Sequence, residues 1–138
     1  MACPYFFPLA RIDDRAWSVA PRLPLGDPHT GECRAQSESI VPDESTLRQF
    51  CNRGYGRGEC ERFPPDGQAD AVRFHVTVQR ATTLRLQYVF EKACWPVRHG
   101  VLECGELVEP PQEAILERQA AAFAESYMRR AAHSEAAN

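Results

Sequence analysis

Lysine is almost absent from this sequence: Lys92 stands alone among sixteen basic residues, the rest being arginine. The arginines are scattered and interleaved with carboxylates, so they form no basic stripe. A formal net charge of -3 removes the electrostatic footprint that nucleic acid or an anionic membrane would need. Long hydrophobic runs are missing too. The opening MACPYFFPLARIDDRAW has no basic start, is broken by Pro4 and Pro8, and meets Arg11 early. Neither a signal peptide nor a membrane-spanning helix is expected there, and a cytoplasmic location follows as the expectation. No internal repeat or heptad pattern is visible. A monomer is expected.

The most informative absence concerns cysteine spacing. Six cysteines occur, yet no two are separated by two residues. Zinc ribbons and fingers use short Cys-x2–4-Cys pairs, thioredoxin-like chemistry needs Cys-x2-Cys, and ferredoxin runs are similarly compact. In a reducing compartment structural disulfides rarely persist, which leaves metal ligation as the usual role for so many thiols.

Cys3, Cys33, Cys51 and Cys60 fall in residues 1–65, together with the prolines at 4, 8, 21, 24, 28, 42, 64 and 65. Proline breaks ladders and helices, so this half is expected to be loop-rich and to need a staple. Four thiolates on one metal would provide it, because ligation from distant points couples binding to folding. Dispersed single cysteines favour a [4Fe–4S] cluster, with zinc as the alternative. The apolar run Tyr5-Phe6-Phe7 beside Cys3 suits exclusion of water. The glycines at 54, 56 and 58 leave backbone N–H groups open to cluster sulfurs. Arg48, Arg53, Arg57 and Arg62 surround the same ligands and are expected to offset charge, against Glu59 and Glu61. One helix is legible in this half: Pro42-Asp43-Glu44-Ser45 opens it, Leu47, Phe50 and Cys51 share a face, and Asn52 with Gly54 ends it.

Residues 66–132 differ in kind. Val72, Phe74, Val76 and Val78 alternate with polar residues, as do Leu84, Leu86, Tyr88 and Phe90, the pattern of two half-buried strands. Val97 to Cys104 reads as a weaker third strand interrupted by Gly100. Pro110-Pro111 with Glu113 opens a helix to about Arg130, striped by Leu116, Ala120, Phe123 and Tyr127. Residues 133–138 read as a frayed tail. The expected fold class is therefore α+β in a single domain: a loop-rich, metal-stapled N-terminal half, then a three-stranded antiparallel sheet and a C-terminal helix.

Other candidates carry less. Cys94 and Cys104 lie in the sheet half and are expected not to be ligands. His29 reads as a surface turn residue, or as the histidine of a Cys3His zinc site. His75 and His99 read as exposed strand residues, and Asp13-Asp14 as a turn or helix start before Trp17. GYGRG lacks the Lys-Ser pair and the preceding strand of a phosphate loop. The strings CPYF (3–6), PRLPLGDPHTGEC (21–33) and CNRGYGRGECERFP (51–64) resemble a group of small uncharacterised bacterial proteins, over most of the chain. That resemblance implies that the four N-terminal cysteines act as a unit, and implies no reaction. Three roles remain open: a cluster protein in redox, sensing or structure with a redox or protein partner, a zinc-stapled interaction module, and a thiol enzyme using Cys94 or Cys60. An enzyme is the least favoured of the three, since no Cys-His pairing is visible.

Overall fold

The computed structural model describes residues 2–12, 25, 27–105 and 115–137. The fold is α+β. Strands β1 (Phe6–Arg11) and β2 (His29–Cys33) form an antiparallel pair. A short helix α1 (Glu44–Thr46) continues as a π-helical segment (Leu47–Cys51). Strands β3 (Ala71–Gln79), β4 (Thr83–Lys92) and β5 (Trp95–Gly105) make an antiparallel sheet in chain order. Helix α2 (Ile115–Ala137) follows. Among the described residues no helix is long and apolar enough to cross a membrane.

The sheet forms where alternation demands it. Val72, Phe74, Leu84 and Leu86 are buried on the face that meets α2, while Arg73, His75 and Arg85 are exposed on the other. Gly100 does not interrupt β5. Its missing side chain makes room for the Tyr88 ring, since a Cβ there would lie 2.3 Å from the phenol oxygen. β4 and β5 are joined by Ala93 and Cys94, both at positive φ (50° and 69°), the conformation of a tight two-residue hairpin turn. On β5 the side chains of Trp95, Val97 and Val101 stand exposed.

The N-terminal half carries more regular structure than its prolines suggest. Pro8 is accommodated within β1 because the pairing shifts register between Pro8 and Ala10. Proline is tolerated at such an irregularity. The helix at Pro42 starts as expected, with the Asp43 side chain accepting from Thr46 N at 2.8 Å. Its second part differs from an α-helix: Asn52 N donates to Leu47 O, five residues back, at 3.1 Å. Gly54, at φ 76°, then donates its N–H to Phe50 O and ends the turn.

The two halves share one core. Ala2, Phe6, Leu25, Leu47 and Cys51 cluster with Val72, Phe74, Leu84, Leu86, Ala120 and Ala124. Helix α2 also serves β1 through polar contacts, with Arg118 Nε donating to Pro8 O at 2.8 Å and Nη2 to Leu9 O at 3.0 Å. The described part of α2 begins at Ile115, so the expected start at Pro110-Pro111 lies outside the described residues. The helix continues to Ala137, past the end expected near Arg130 and into the 133–138 stretch.

Phe123 is half-buried, stacked toward Tyr127 and tilted against Phe74 with ring centroids 5.8 Å apart. Phe123→Ala should therefore destabilise by ~2–3 kcal/mol, short of the ~3–5 kcal/mol of a fully enclosed ring. Urea denaturation measures this, and an unchanged midpoint would mean that α2 does not pack through Phe123.

Candidate metal centre

Four separate segments bring Cys3, Cys33, Cys51 and Cys60 to the wall of one cavity of about 610 Å³. Cys3 is close to the chain start yet firmly held. Ala2 exchanges two backbone hydrogen bonds with Val72, and Cys3 N donates to Cys51 O at 3.1 Å. The Cys3 carbonyl accepts from Phe6 N at 3.1 Å and from Gln119 Nε2 at 2.8 Å. Gln119, fully buried on α2, also donates to Phe6 O at 2.7 Å, so the last helix fixes the first cysteine. Cys33 ends β2 opposite Phe6 and pairs with Ile40 through both backbone groups. Cys51 closes the π-helical segment and is buried with Leu47.

Cys60 hangs on the glycine loop. Its N–H donates to Gly56 O at 2.6 Å, and a Cβ on residue 56 would lie 3.0 Å from Cys60 Cβ. Only glycine leaves that approach open. Tyr55 holds a positive φ of 60°, a strained value for a non-glycine residue, and is secured at both ends. Its N–H donates to Asp70 O at 2.9 Å and its hydroxyl to Glu91 Oε1 at 2.7 Å. Arg57 spreads its fork over Asp70 Oδ1 (2.5 Å), Pro65 O (2.8 Å) and Gly67 O (2.6 Å).

Of the four arginines expected to offset charge, three do other work or stand apart. Arg57 pairs with Asp70, Arg48 bonds Glu44 at 3.0 Å, and Arg53 is exposed. Arg62 reaches sulfur, its Nε donating to Cys33 Sγ at 3.4 Å.

The thiols feel one another electrostatically. Burial pushes the Cys3 thiol up to about 12, with the Cys33 and Cys60 sulfurs adding to the rise and backbone N–H groups opposing it. The Cys51 thiol is raised for the same reasons, burial first and then Cys3, Cys33 and Cys60. A metal binding here must displace protons, so its affinity falls as pH falls. Among the described residues no three His, Cys, Asp or Glu side chains come together as a site for a single ion. All four thiols line a cavity that is also walled by Tyr5, Phe6, Phe50 and Phe63.

The remaining candidates lie elsewhere. His29 is not a surface turn residue: it opens β2, is buried, and lines a different cavity with Asp27 and Ser126. Its Nδ1 lies 2.9 Å from the Asp27 carbonyl, and burial lowers its pKa, which keeps the ring neutral. Cys94 is exposed on the β4–β5 turn, and Cys104 lines the same cavity as His29, so neither borders the four thiols. His75 and His99 are exposed. Asp13, Asp14 and Trp17 lie outside the described residues. GYGRG follows a π-helical segment and not a strand, so it makes no phosphate loop.

Sequence reasoning took Asn52 only as a helix stop and passed over Gln119, Asp70 and Glu91. Asn52 ties the site to β2, its Oδ1 accepting from His29 N at 3.0 Å and its Nδ2 donating to His29 O at 3.1 Å and Leu47 O at 3.0 Å. Among the residues passed over, a signal existed for Gln119: it is a polar residue on the stripe set by Leu116 and Phe123. Comparison of the chain with protein-family models, curated proteins and solved structures finds no match.

Proposed function

We propose that the protein holds a [4Fe–4S] cluster through Cys3, Cys33, Cys51 and Cys60, in a redox, sensing or structural role. The observation that carries this reading is that four thiols from four segments line a single cavity of about 610 Å³. A lone zinc ion draws its sulfurs to about 2.3 Å from one centre, whereas a cubane spaces its four ligands across a larger body. Thiolates are the ordinary ligands of such clusters, and the aromatic walls limit water. Four thiolates also saturate the four irons, which favours stability or electron transfer over substrate binding. Bound, the cluster would supply one-electron chemistry. The chain supplies the rest: Gln119 and Val72 hold Cys3 still, the glycine loop presents Cys60, and Arg57 with Asp70 keeps that loop shut.

The second reading is a zinc-stapled interaction module. Exposed Trp95, Val97 and Val101 on β5 favour it, because apolar residues grouped on a strand are common at protein contacts.

Anaerobic purification followed by an absorption spectrum and iron, sulfide and zinc analysis decides between them. Iron and sulfide at four each per chain support the cluster. A colourless protein with one zinc replaces it with the second reading, and a protein without metal removes both. Cys94→Ser and Cys104→Ser should leave metal content unchanged, and loss of metal in either variant would show that the four ligands are wrongly chosen.

A further inference from the structure

We infer that Arg62 is an electrostatic clamp on the Cys33 thiolate, a positioning residue that sets the charge and reactivity of the proposed centre. The inference rests on the cluster reading above. Among the described residues lining the thiol cavity, Arg62 is the sole lysine or arginine, set against Asp43, Glu59 and Glu61. Four thiolates there would add negative charge to a wall that already carries three carboxylates.

The geometry of the clamp is specific. Arg62 Nε donates to Cys33 Sγ at 3.4 Å, and Nη2 donates to Glu38 O at 2.9 Å. The guanidinium therefore contacts both the sulfur and the loop that leaves β2. Cys33 is buried and Arg62 half-buried, so solvent screens the interaction less than it would a surface pair. Arg62 belongs to the segment just beyond Cys60, so one short stretch carries a proposed ligand and the cation that contacts Cys33. A charge-assisted N–H donor draws electron density from a thiolate. Two consequences follow. In a metal-ligated thiolate, which no longer exchanges a proton, the sulfur becomes a weaker nucleophile toward electrophiles, and the more negative, reduced state of a cluster is favoured.

A lysine would keep the charge but lose the fork, and a glutamine would lose the charge altogether. Arg34 provides a control, since it follows Cys33 in sequence but pairs with Glu32 at 3.2 Å and covers the Phe7 ring at 3.6 Å.

The test uses the full chain, loaded anaerobically, as wild type, Arg62→Gln, Arg62→Lys and Arg34→Gln. Iron and sulfide per chain are measured first. Iodoacetamide alkylation of Cys33 is then followed by mass spectrometry, and the midpoint potential by dye-mediated titration. Arg62→Gln should alkylate Cys33 roughly tenfold faster, the rate equivalent of one charge-assisted hydrogen bond. Its midpoint potential should move to more negative values. Arg62→Lys should recover much of the potential, and Arg34→Gln should change neither quantity.

A loaded Arg62→Gln variant with wild-type rate and potential overturns the clamp, as does an Arg34→Gln variant that shifts both equally. If Arg62→Gln does not load, Arg62→Lys carries the test: loading with a near-wild-type potential supports the clamp, and equal failure overturns it. A zinc-loaded wild type sinks the cluster reading and leaves the alkylation rate to decide the clamp. Wild-type protein without any metal sinks both.

Discussion

Serine at position 51 is expected to empty the site and to unfold the N-terminal half with it. The Cys51 side chain is buried, at 5% exposure, and lies in the shared core beside Leu47 and Ala2. A serine hydroxyl is a poor ligand for soft metal ions, so the proposed tetrathiolate site would become a three-ligand site. Metal ligation supplies about 10–16 kcal/mol in small zinc-folded domains, far more than any single packing contact. Losing most of that from a half joined to the sheet by a common core should lower the melting temperature of the whole chain. Cys51→Ala separates this account from its rival. If Cys51 is only a small buried hydrophobe, alanine should cost about 1 kcal/mol and be milder than serine, which buries an unpaired hydroxyl. If it is a ligand, both variants should lose the metal and melt alike. Metal analysis beside a melting curve gives the answer, and a metal-replete Cys51→Ser protein would remove Cys51 from the ligand set.

The sheet and α2 were legible in the sequence because their determinants are local. Val72 to Val78 and Leu84 to Phe90 state their own period, and the Phe123 stripe needs only its own helix. Strands β1 and β2 were not legible, and the reason is physical. Phe6, Phe7 and Pro8 are buried in succession, so β1 shows no alternation, and its partner begins at His29. Such pairing is decided by contacts far along the chain, which no window reveals. The number of cysteines pointed to a site, and their spacing argued against short-loop zinc folds. That the four would face one cavity depends on Phe6 pairing with Cys33 and on Gln119 reaching Cys3 across more than a hundred residues. His29 went wrong in the same way: flanked by Asp27 and Gly31, it looks like a turn, whereas the β1 pairing and the Asn52 bonds hold it in β2.

Polar residues proved the least legible of all, and they carry much of the connection between the two halves. Arg57 and Tyr55 come from the glycine loop, Asp70 from the residue just before β3, Glu91 from β4, and Ala93 and Cys94 from the β4–β5 turn. Tyr55 hydroxyl donates to Glu91 and accepts from Cys94 N at 3.2 Å, while Arg73 Nε donates to Glu91 Oε2 at 2.6 Å. The network explains how a hairpin turn of two non-glycine residues at positive φ is sustained. Each of its backbone N–H groups finds a fixed acceptor, Asp70 for Ala93 and Tyr55 for Cys94. It also explains how a loop with three glycines can present Cys60 at one position.

Asp70→Ala should therefore destabilise the protein by ~3–5 kcal/mol, the range for removing one member of a buried charge pair. Asp70 is 5% exposed and accepts from Arg57 Nε at 2.5 Å and from Ala93 N at 2.8 Å. Alanine leaves Arg57 without its carboxylate and the strained turn without its acceptor. It also frees the loop that carries Cys60, so metal held at the proposed site should be lost to a chelator faster than from wild type. Asp70→Asn keeps an acceptor in the same place and should cost only ~1–3 kcal/mol. The two variants also differ from wild type in acid. Burial works against the Asp70 carboxylate, but the Ala93 N–H and the Arg57 guanidinium outweigh it and hold the group below its ordinary value of 3.8. A carboxylate with a lowered folded-state pKa stabilises the fold fully above that ordinary value. The contribution is lost as pH falls through the lowered one. Wild type should thus lose stability below about pH 4 more steeply than Asp70→Asn, which has no proton to take up there. Urea midpoints at pH 7 and pH 3 measure both effects. An Asp70→Ala protein with the wild-type midpoint at pH 7 would show that the glycine loop is held by its backbone contacts alone.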